Sequence, residues 1–154
     1  MGGVVRSDHG FVEVTASRLH AVDLIIDYPS VGATENLLMA AVMAEGTTTL
    51  ENVAREPEIV DLCKLLVSMG ADITGAGSST MRVNGVDQMH PAEHSVIGDR
   101  IEAGTFLIMS AVTGGDVEVN GISQHVLDLF LSKLRAVGVQ IQENTRSILA
   151  SGDP

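Results

Sequence analysis

A few short stretches carry residue types at spacings that suit chemistry. In "SVGAT" (30–34) a Ser-x-Gly turn leads into an apolar run. Such a turn presents unpaired backbone N–H groups and the positive end of a helix dipole, which together suit a phosphate. The plainer reading of the same residues is a helix cap, with Ser30 or Thr34 as the hydroxyl acceptor. "GDRIEAGT" (98–105) opens a second apolar run, where Asp99, Arg100 and Glu102 either line a cleft or form a solvated helix start. "HPAEH" (90–94) has the spacing of the H-x-x-E-H zinc pattern, which needs a helix to turn both His the same way. Pro91 and the loop-like surroundings argue against that helix, and no third ligand is evident, so no metal is expected. "TGAGSST" (74–80) contains G-x-G, but the strand-like "MRVNG" follows where a dinucleotide fingerprint needs a helix. A hairpin turn is expected there instead. Cys63 falls on the core side of an amphipathic helix without basic neighbours, and is expected to pack rather than react.

The elements that would position these residues come from an internal repeat. Displacing the chain by 69 residues lays "TENLLMAAVMAEGTTTLENV" (34–53) over "AGTFLIMSAVTGGDVEVNGI" (103–122), with large and small apolar residues in the same order. With a one-residue gap, "IVDLCKLLVSMGADI" (59–73) then lies over "VLDLFLSKLRAVGVQI" (126–141). Each copy reads as an apolar helix, Gly, an alternating strand, an amphipathic helix, Gly, and two further strands joined by a turn. Two copies are too few for a solenoid and read better as a repeated β-α-β-α-β-β unit. Leu37–Ala44 and Phe106–Val112 are apolar on every side, which predicts helices surrounded by protein. Pro57 suits the first turn of the amphipathic helix and Gly70 its C′ position. On that helix Ile59, Leu62, Leu66 and Met69 share a face, with Asp61, Lys64 and Ser68 expected outward. Residues 87–98 read as a linker, and "FVEV" and "LIID" in residues 1–28 as strands of something partly absent. The chain therefore reads as a portion of a larger assembly, or as one that self-associates.

Composition bounds the function. The 154 residues are 45% hydrophobic but only 3% aromatic, so the core must be aliphatic. A net charge of −11 disfavours nucleic acid and anionic membranes as partners, while leaving room for a small anionic ligand held by local donors. A single cysteine cannot form an internal disulfide and fits a reducing cytoplasm. No segment is long and apolar enough for a membrane span, and "MGGVVRSDHG" lacks the apolar centre of a signal peptide.

Taken together, "SVGAT", "AEGTT", "ENVAREPEIVDL", "GADITG" and "DRIEAGTFL" resemble the UDP-N-acetylglucosamine enolpyruvyl (1-carboxyvinyl) transferases, from about residue 10 to about 150. The sister enzyme, 5-enolpyruvylshikimate-3-phosphate synthase, shares the repeat plan less closely. The resemblance implies an α/β (α+β) fold: an inside-out α/β barrel of repeated β-α-β-α-β-β units, here incomplete. Residues 1–98 would end one lobe, with one full unit at about 30–86, and 99–154 would open the other. It also implies an enzyme that transfers the enolpyruvyl group of phosphoenolpyruvate to the 3′-hydroxyl of UDP-N-acetylglucosamine, releasing phosphate. This is the first committed step of cytoplasmic peptidoglycan synthesis, tied to cell wall biogenesis, cell shape, the cell cycle and cell division. No cofactor or metal is implied. Ser30, Val31 and Gly32 match the turn that holds the nucleotide, and Asp99 and Arg100 match cleft residues at the lobe junction. Tyr28 stands where the family usually has Lys. The family's N-terminal Lys–Asn pair and mobile-loop Cys find no match, and its catalytic Asp and several Arg would fall beyond Pro154. The chain is therefore expected to be a fragment that is inactive alone. The alternative is a non-catalytic module on the same scaffold that binds a sugar nucleotide or a partner protein.

Overall fold

Thr47–Glu51 and Asp116–Asn120 alternate polar and apolar residues, and each follows an apolar helix across a glycine. In the computed structural model, which describes residues 1–152, these segments are equivalent strands in two separate sheets. The chain divides into two compact units, one covering Met1–Ser95 and the other beginning at Val96.

The first unit begins with a hairpin, β1 (Val4–Asp8) and β2 (Phe11–Thr15), in which every residue is exposed. It continues with β3 (Asp23–Ile25), α1 (Val31–Val42), β4 (Thr47–Glu51), α2 (Pro57–Ser68), β5 (Asp72–Thr74) and β6 (Thr80–Asn84). The four later strands form one sheet in the order β3-β4-β6-β5, with β3 parallel to β4 and the other pairs antiparallel. Both helices pack on this sheet through Leu38, Val42, Ile59 and Cys63, which meet Leu50, Met81 and Val83. Each fully buried aliphatic side chain contributes roughly 1.5–3 kcal/mol. Pro57 opens α2, and Met69 closes it with Gly70 following at φ +104°. "TGAGSST" is the β5–β6 turn, as its residues predicted.

The second unit repeats the plan with α3 (Arg100–Thr113), β7 (Asp116–Asn120), α4 (Asp128–Ala136), β8 (Gln140–Glu143) and β9 (Ser147–Ser151). A 3-10 turn at Gln124–Val126 precedes α4. Its sheet order, β7-β9-β8, matches β4-β6-β5 strand for strand. Leu107, Leu131, Ile148 and Ala150 centre its core. Both copies share a close backbone approach at their ends. Gly85 N–H donates to Gly46 O, and Gly152 N–H to Gly115 O, at 2.9 and 3.1 Å. A Cβ on Gly85 would lie 1.6 Å from Ala44 O, and one on Gly152 would lie 2.0 Å from Ser110 O. No side chain fits between strand and helix at either place.

Three expectations need correction. The second copy begins on its helix, with no strand between residues 86 and 99. The apolar helices are covered along one side only. Met39 of α1, Met43 at its C-cap, and Phe106, Ile108, Met109 and Val112 of α3 are exposed, because one sheet and one neighbouring helix cannot enclose a cylinder. Asp61 faces inward, 8% exposed, because residues 86–94 lie over that flank of α2. The 87–98 stretch has no regular secondary structure and is mostly exposed, as a linker would be, and the boundary between the units falls within it. Lys64 and Ser68 do face solvent.

Candidate functional site

Ser30 has extended backbone angles and caps α1, its Oγ accepting the N–H of Ala33 at 3.3 Å. The turn is tightened by Ser30 N–H donating to Tyr28 O at 2.7 Å, and by Thr34 N–H donating to Ser30 O at 2.9 Å. The N–H groups of Val31 and Gly32, first and second in the helix, have no acceptor among the described residues. They are the orphan donors that every helix start must leave. Asn36 Nδ2 donates to Gly32 O at 2.8 Å, which fixes the first turn from behind. Gly32 is exposed, and a Cβ built there would meet nothing within 4 Å, so open space lies before these donors. The first turn of α1 carries no acidic residue, so nothing within it offsets the positive end of the dipole. Tyr28, exposed, flanks the turn without supplying a charge.

Thr34 is not the cap. It is fully buried one turn inside α1, and its Oγ1 accepts the N–H of Ala54 at 3.0 Å. This bond ties the loop entering α2 to the first turn of α1, and it is the feature the sequence reading missed. The pattern of "SVGAT" contains the hydroxyl but not its partner twenty residues on. Beyond the tie, Glu56 Oε2 accepts the N–H of Arg55 at 2.8 Å at the start of α2.

In the second unit, Asp99 caps α3 by accepting two N–H groups at Oδ1, from Ile101 at 2.7 Å and Glu102 at 3.1 Å. Arg100 is the first residue of that helix, and Glu102 lies in its first turn. Asp99 and Arg100 are thus neighbours at one helix start, as Ser30, Val31 and Gly32 are at another. The displacement of the repeat equates Ser30 with Asp99. Two stretches singled out for different reasons are the same position in two copies.

The other candidates resolve structurally. "HPAEH" lies in irregular chain, so the helix a zinc reading requires is not formed. Cys63 is buried against Met81, and burial pushes its thiol up from the ordinary value. An open cavity of about 490 Å³ in the second unit is lined by Ser123, His125, Glu143, Asn144 and Thr145. It includes none of the candidate residues. No helix among the described residues is long and apolar enough to cross a membrane.

Comparison with known proteins places this geometry. The family model of EPSP synthase (3-phosphoshikimate 1-carboxyvinyltransferase) matches residues 3–154. The UDP-N-acetylglucosamine 1-carboxyvinyltransferase of Corynebacterium efficiens is 55% identical over 141 residues, covering 92% of this chain and 34% of that protein. Its namesake from Corynebacterium jeikeium is 53% identical over 142 residues, with the same coverage of both chains. The chain thus spans 34% of the length of these relatives. Among solved structures, the enolpyruvyl transferase NikO from Streptomyces tendae matches with a TM-score of 0.83 at 25% identity, over 97% of this chain and 39% of that one. EPSP synthase from Acinetobacter baumannii matches at 0.63 and 19% identity, over 99% and 37%, a likeness of fold.

Proposed function

The chain belongs to the EPSP synthase (3-phosphoshikimate 1-carboxyvinyltransferase) family, and from that premise we propose that it is one section of a UDP-N-acetylglucosamine 1-carboxyvinyltransferase. The observation that carries this reading is the 52–55% identity, across 92% of the chain, with relatives of that name. The reaction moves the enolpyruvyl group of phosphoenolpyruvate onto the 3′-hydroxyl of UDP-N-acetylglucosamine. The hydroxyl oxygen adds to the vinyl carbon that bears phosphate while an acid protonates the methylene. Loss of phosphate and a proton then restores the double bond. The step requires a base, an acid, and donors or cations around the anionic groups. In the cell it would serve peptidoglycan synthesis in the cytoplasm.

The part assigned to this chain is binding and orientation. Val31 and Gly32 offer two unpaired N–H donors at an uncompensated helix start, and Ser30 adds a hydroxyl whose proton is free to rotate. These groups suit the diphosphate of the sugar nucleotide. Asp99 uses only Oδ1 in its cap, which leaves Oδ2 for a substrate hydroxyl, with Arg100 beside it at the helix start. The exposed apolar flanks of α1 and α3 favour association, with a second copy or with complementary segments of such an enzyme.

Thermal melting tests the assignment. UDP-N-acetylglucosamine at about 100 times its dissociation constant adds roughly 2.7 kcal/mol to the bound fold and raises the melting temperature. Gly32→Trp is expected to abolish that rise while melting like the wild type without ligand, since open space surrounds the position. No rise in the wild type, or an equal rise in the variant, would remove the site. The chain alone is expected to release no phosphate from the two substrates, and turnover would overturn the view that it carries only part of the machinery.

A further inference from the structure

Strand β2 has two counterparts further along the chain. Displaced by the same 69 residues that relate the two copies, Phe11–Thr15 falls on Thr80–Asn84, which is β6. In the second unit the corresponding strand is β9, Ser147–Ser151. Each closes an antiparallel hairpin with the strand before it, and the registers agree. Val14 pairs with Val5 across β1–β2, as Val83 pairs with Ile73 across β5–β6 and Ala150 with Ile141 across β8–β9. Val12 then corresponds to Met81 and Ile148. Alternation puts Val5, Ser7, Val12 and Val14 on one face of the hairpin, and the opposed pair Arg6 and Glu13 on the other.

What differs is the cover. Met81, Val83, Ile148 and Ala150 are fully buried in the cores of their units, whereas Val5, Val12 and Val14 are 64%, 69% and 62% exposed. On their far edges β6 and β9 also pair with β4 and β7, while the far edge of β2 has no strand beside it among the described residues. A lone two-stranded hairpin is marginally stable in water, and an open strand edge is a template for pairing. Within this chain both deficits are met by one device. An apolar helix, a strand on the free edge and an amphipathic helix follow one another as α1-β4-α2 in the first unit and α3-β7-α4 in the second.

A second copy of this chain does not fit the hairpin in that way. The residue after β6 is Gly85 and the residue after β9 is Gly152, and a Cβ at either would lie 1.6 or 2.0 Å from a helix carbonyl. The residue after β2 is Ala16, so a helix seated as α1 or α3 is seated would drive its carbonyl into the Ala16 methyl. The fitting cover has a helix end that stands further off. We propose that the face of Val5, Val12 and Val14, with the free edge of β2, is a docking surface for a helix-strand-helix segment from another section of such a transferase, seated by strand addition and valine burial. In both units the helices precede their hairpin, so the partner is the section that lies ahead of the matched part in the relatives. That choice of partner rests on the functional reading above, whereas the surface rests on the repeat within this chain.

Mixing the full chain with the section of the Corynebacterium efficiens relative that lies ahead of its matched part tests this surface. Titration calorimetry reads affinity, and helical circular dichroism gained on mixing reads a section that folds only when docked. Amide exchange locates the contact. The expected result is a one-to-one complex in which the amides of β2 slow by about tenfold or more. Val12→Lys and Val14→Lys change exposed residues and should leave the chain's own stability near wild type. Each should weaken the complex by about tenfold or more, because the new lysine would be buried without a partner. Phe11→Lys also exchanges an exposed apolar residue for lysine, but on the opposite face, and should stay within a few-fold of wild type. No complex, or one that Val12→Lys leaves intact, would overturn the docking surface. So would a homodimer of this chain that Val12→Lys dissociates, since the occupant would then be a second copy. The sugar-nucleotide melting experiment uses this chain alone, so its outcome reads the functional assignment separately.

Discussion

Replacing Thr34 by Val keeps the shape of the side chain and removes the acceptor of a buried hydrogen bond. Thr34 is fully buried, Ala54 is 2% exposed, and the Ala54 N–H reaches Oγ1 at 3.0 Å. With valine in place, the N–H of Ala54 is left without an acceptor away from water. Orphaning such a group costs roughly 1–3 kcal/mol, the desolvation of the donor rather than the net value of the bond. For a chain of this size each kcal/mol lowers the melting temperature by about 2–4 °C. Thr34→Ser gives the counter-case: it keeps the oxygen and deletes a buried methyl, at about 0.8 kcal/mol plus a small cavity term. Urea unfolding followed by far-UV circular dichroism measures the stabilities, and exchange at the Ala54 amide assigns the cause. The expected result is valine less stable than serine, with Ala54 protection lost in valine and retained in serine. A valine variant within about 0.5 kcal/mol of wild type, its Ala54 amide still protected, would refute the claim that this hydroxyl holds the loop to the helix, since surface-like effects are of that size.

Gly85→Ala should destabilise the first unit by about 3 kcal/mol or more, because the new Cβ would overlap the Ala44 carbonyl and neither backbone can yield. Gly152→Ala should act likewise in the second unit against Ser110 O, and denaturant midpoints check both. Cys63 should resist thiol reagents in the folded chain and react once it is unfolded, because burial raises its thiol above the ordinary value and keeps it protonated. The linked pH effect has a definite sign. The thiol's contribution to stability is fully present below the unfolded thiol's range, and it is lost as alkaline pH ionises the unfolded chain first. A Cys63→Ser variant with the same alkaline loss would refute that assignment.

What was legible in the sequence is what local pattern encodes. The order of large and small residues in 34–53 and 103–122 was enough to equate two helices and two strands, and the matching orders β4-β6-β5 and β7-β9-β8 follow from the same repeat. Pro57 and Gly70 marked helix ends because their backbone constraints act where they stand. The failures share one cause: a partner far along the chain. The period of α2 turns Asp61 away from Ile59 and Leu66, and the His94 that lies against it comes from far along the chain. An all-apolar helix states that something should cover it, but not that the covering belongs to the same unit. Gly85 is one of 16 glycines, and nothing near it in sequence marks the helix carbonyl it must approach. At the site, the turn and its cap were readable, whereas the Thr34–Ala54 tie was not.

The equivalence of Ser30 and Asp99 sets up a contrast between the two helix starts. Both residues cap the first helix of their unit, yet one brings a neutral hydroxyl and the other a carboxylate. At α3 the dipole is already answered by Asp99 and by Glu102, so a further anion would meet like charge. At α1 it is unanswered, and Val31 and Gly32 keep their donors unpaired. Making the first start resemble the second is therefore a sharp test. Ser30→Asp should leave the fold as stable as wild type or slightly more so, since aspartate caps as well as serine and adds about 0.3–1 kcal/mol with the dipole. The same change should weaken UDP-N-acetylglucosamine. A carboxylate about 5 Å from a phosphate charge costs roughly 0.8 kcal/mol at the dielectric of water and about 3 at an effective 20, which spans a few-fold to a hundredfold in affinity. Melting without ligand and titration calorimetry with it read the two effects separately. A variant that folds well and binds as tightly as wild type would show that the diphosphate does not lie at this helix start, and would leave Ser30 a structural cap and nothing more.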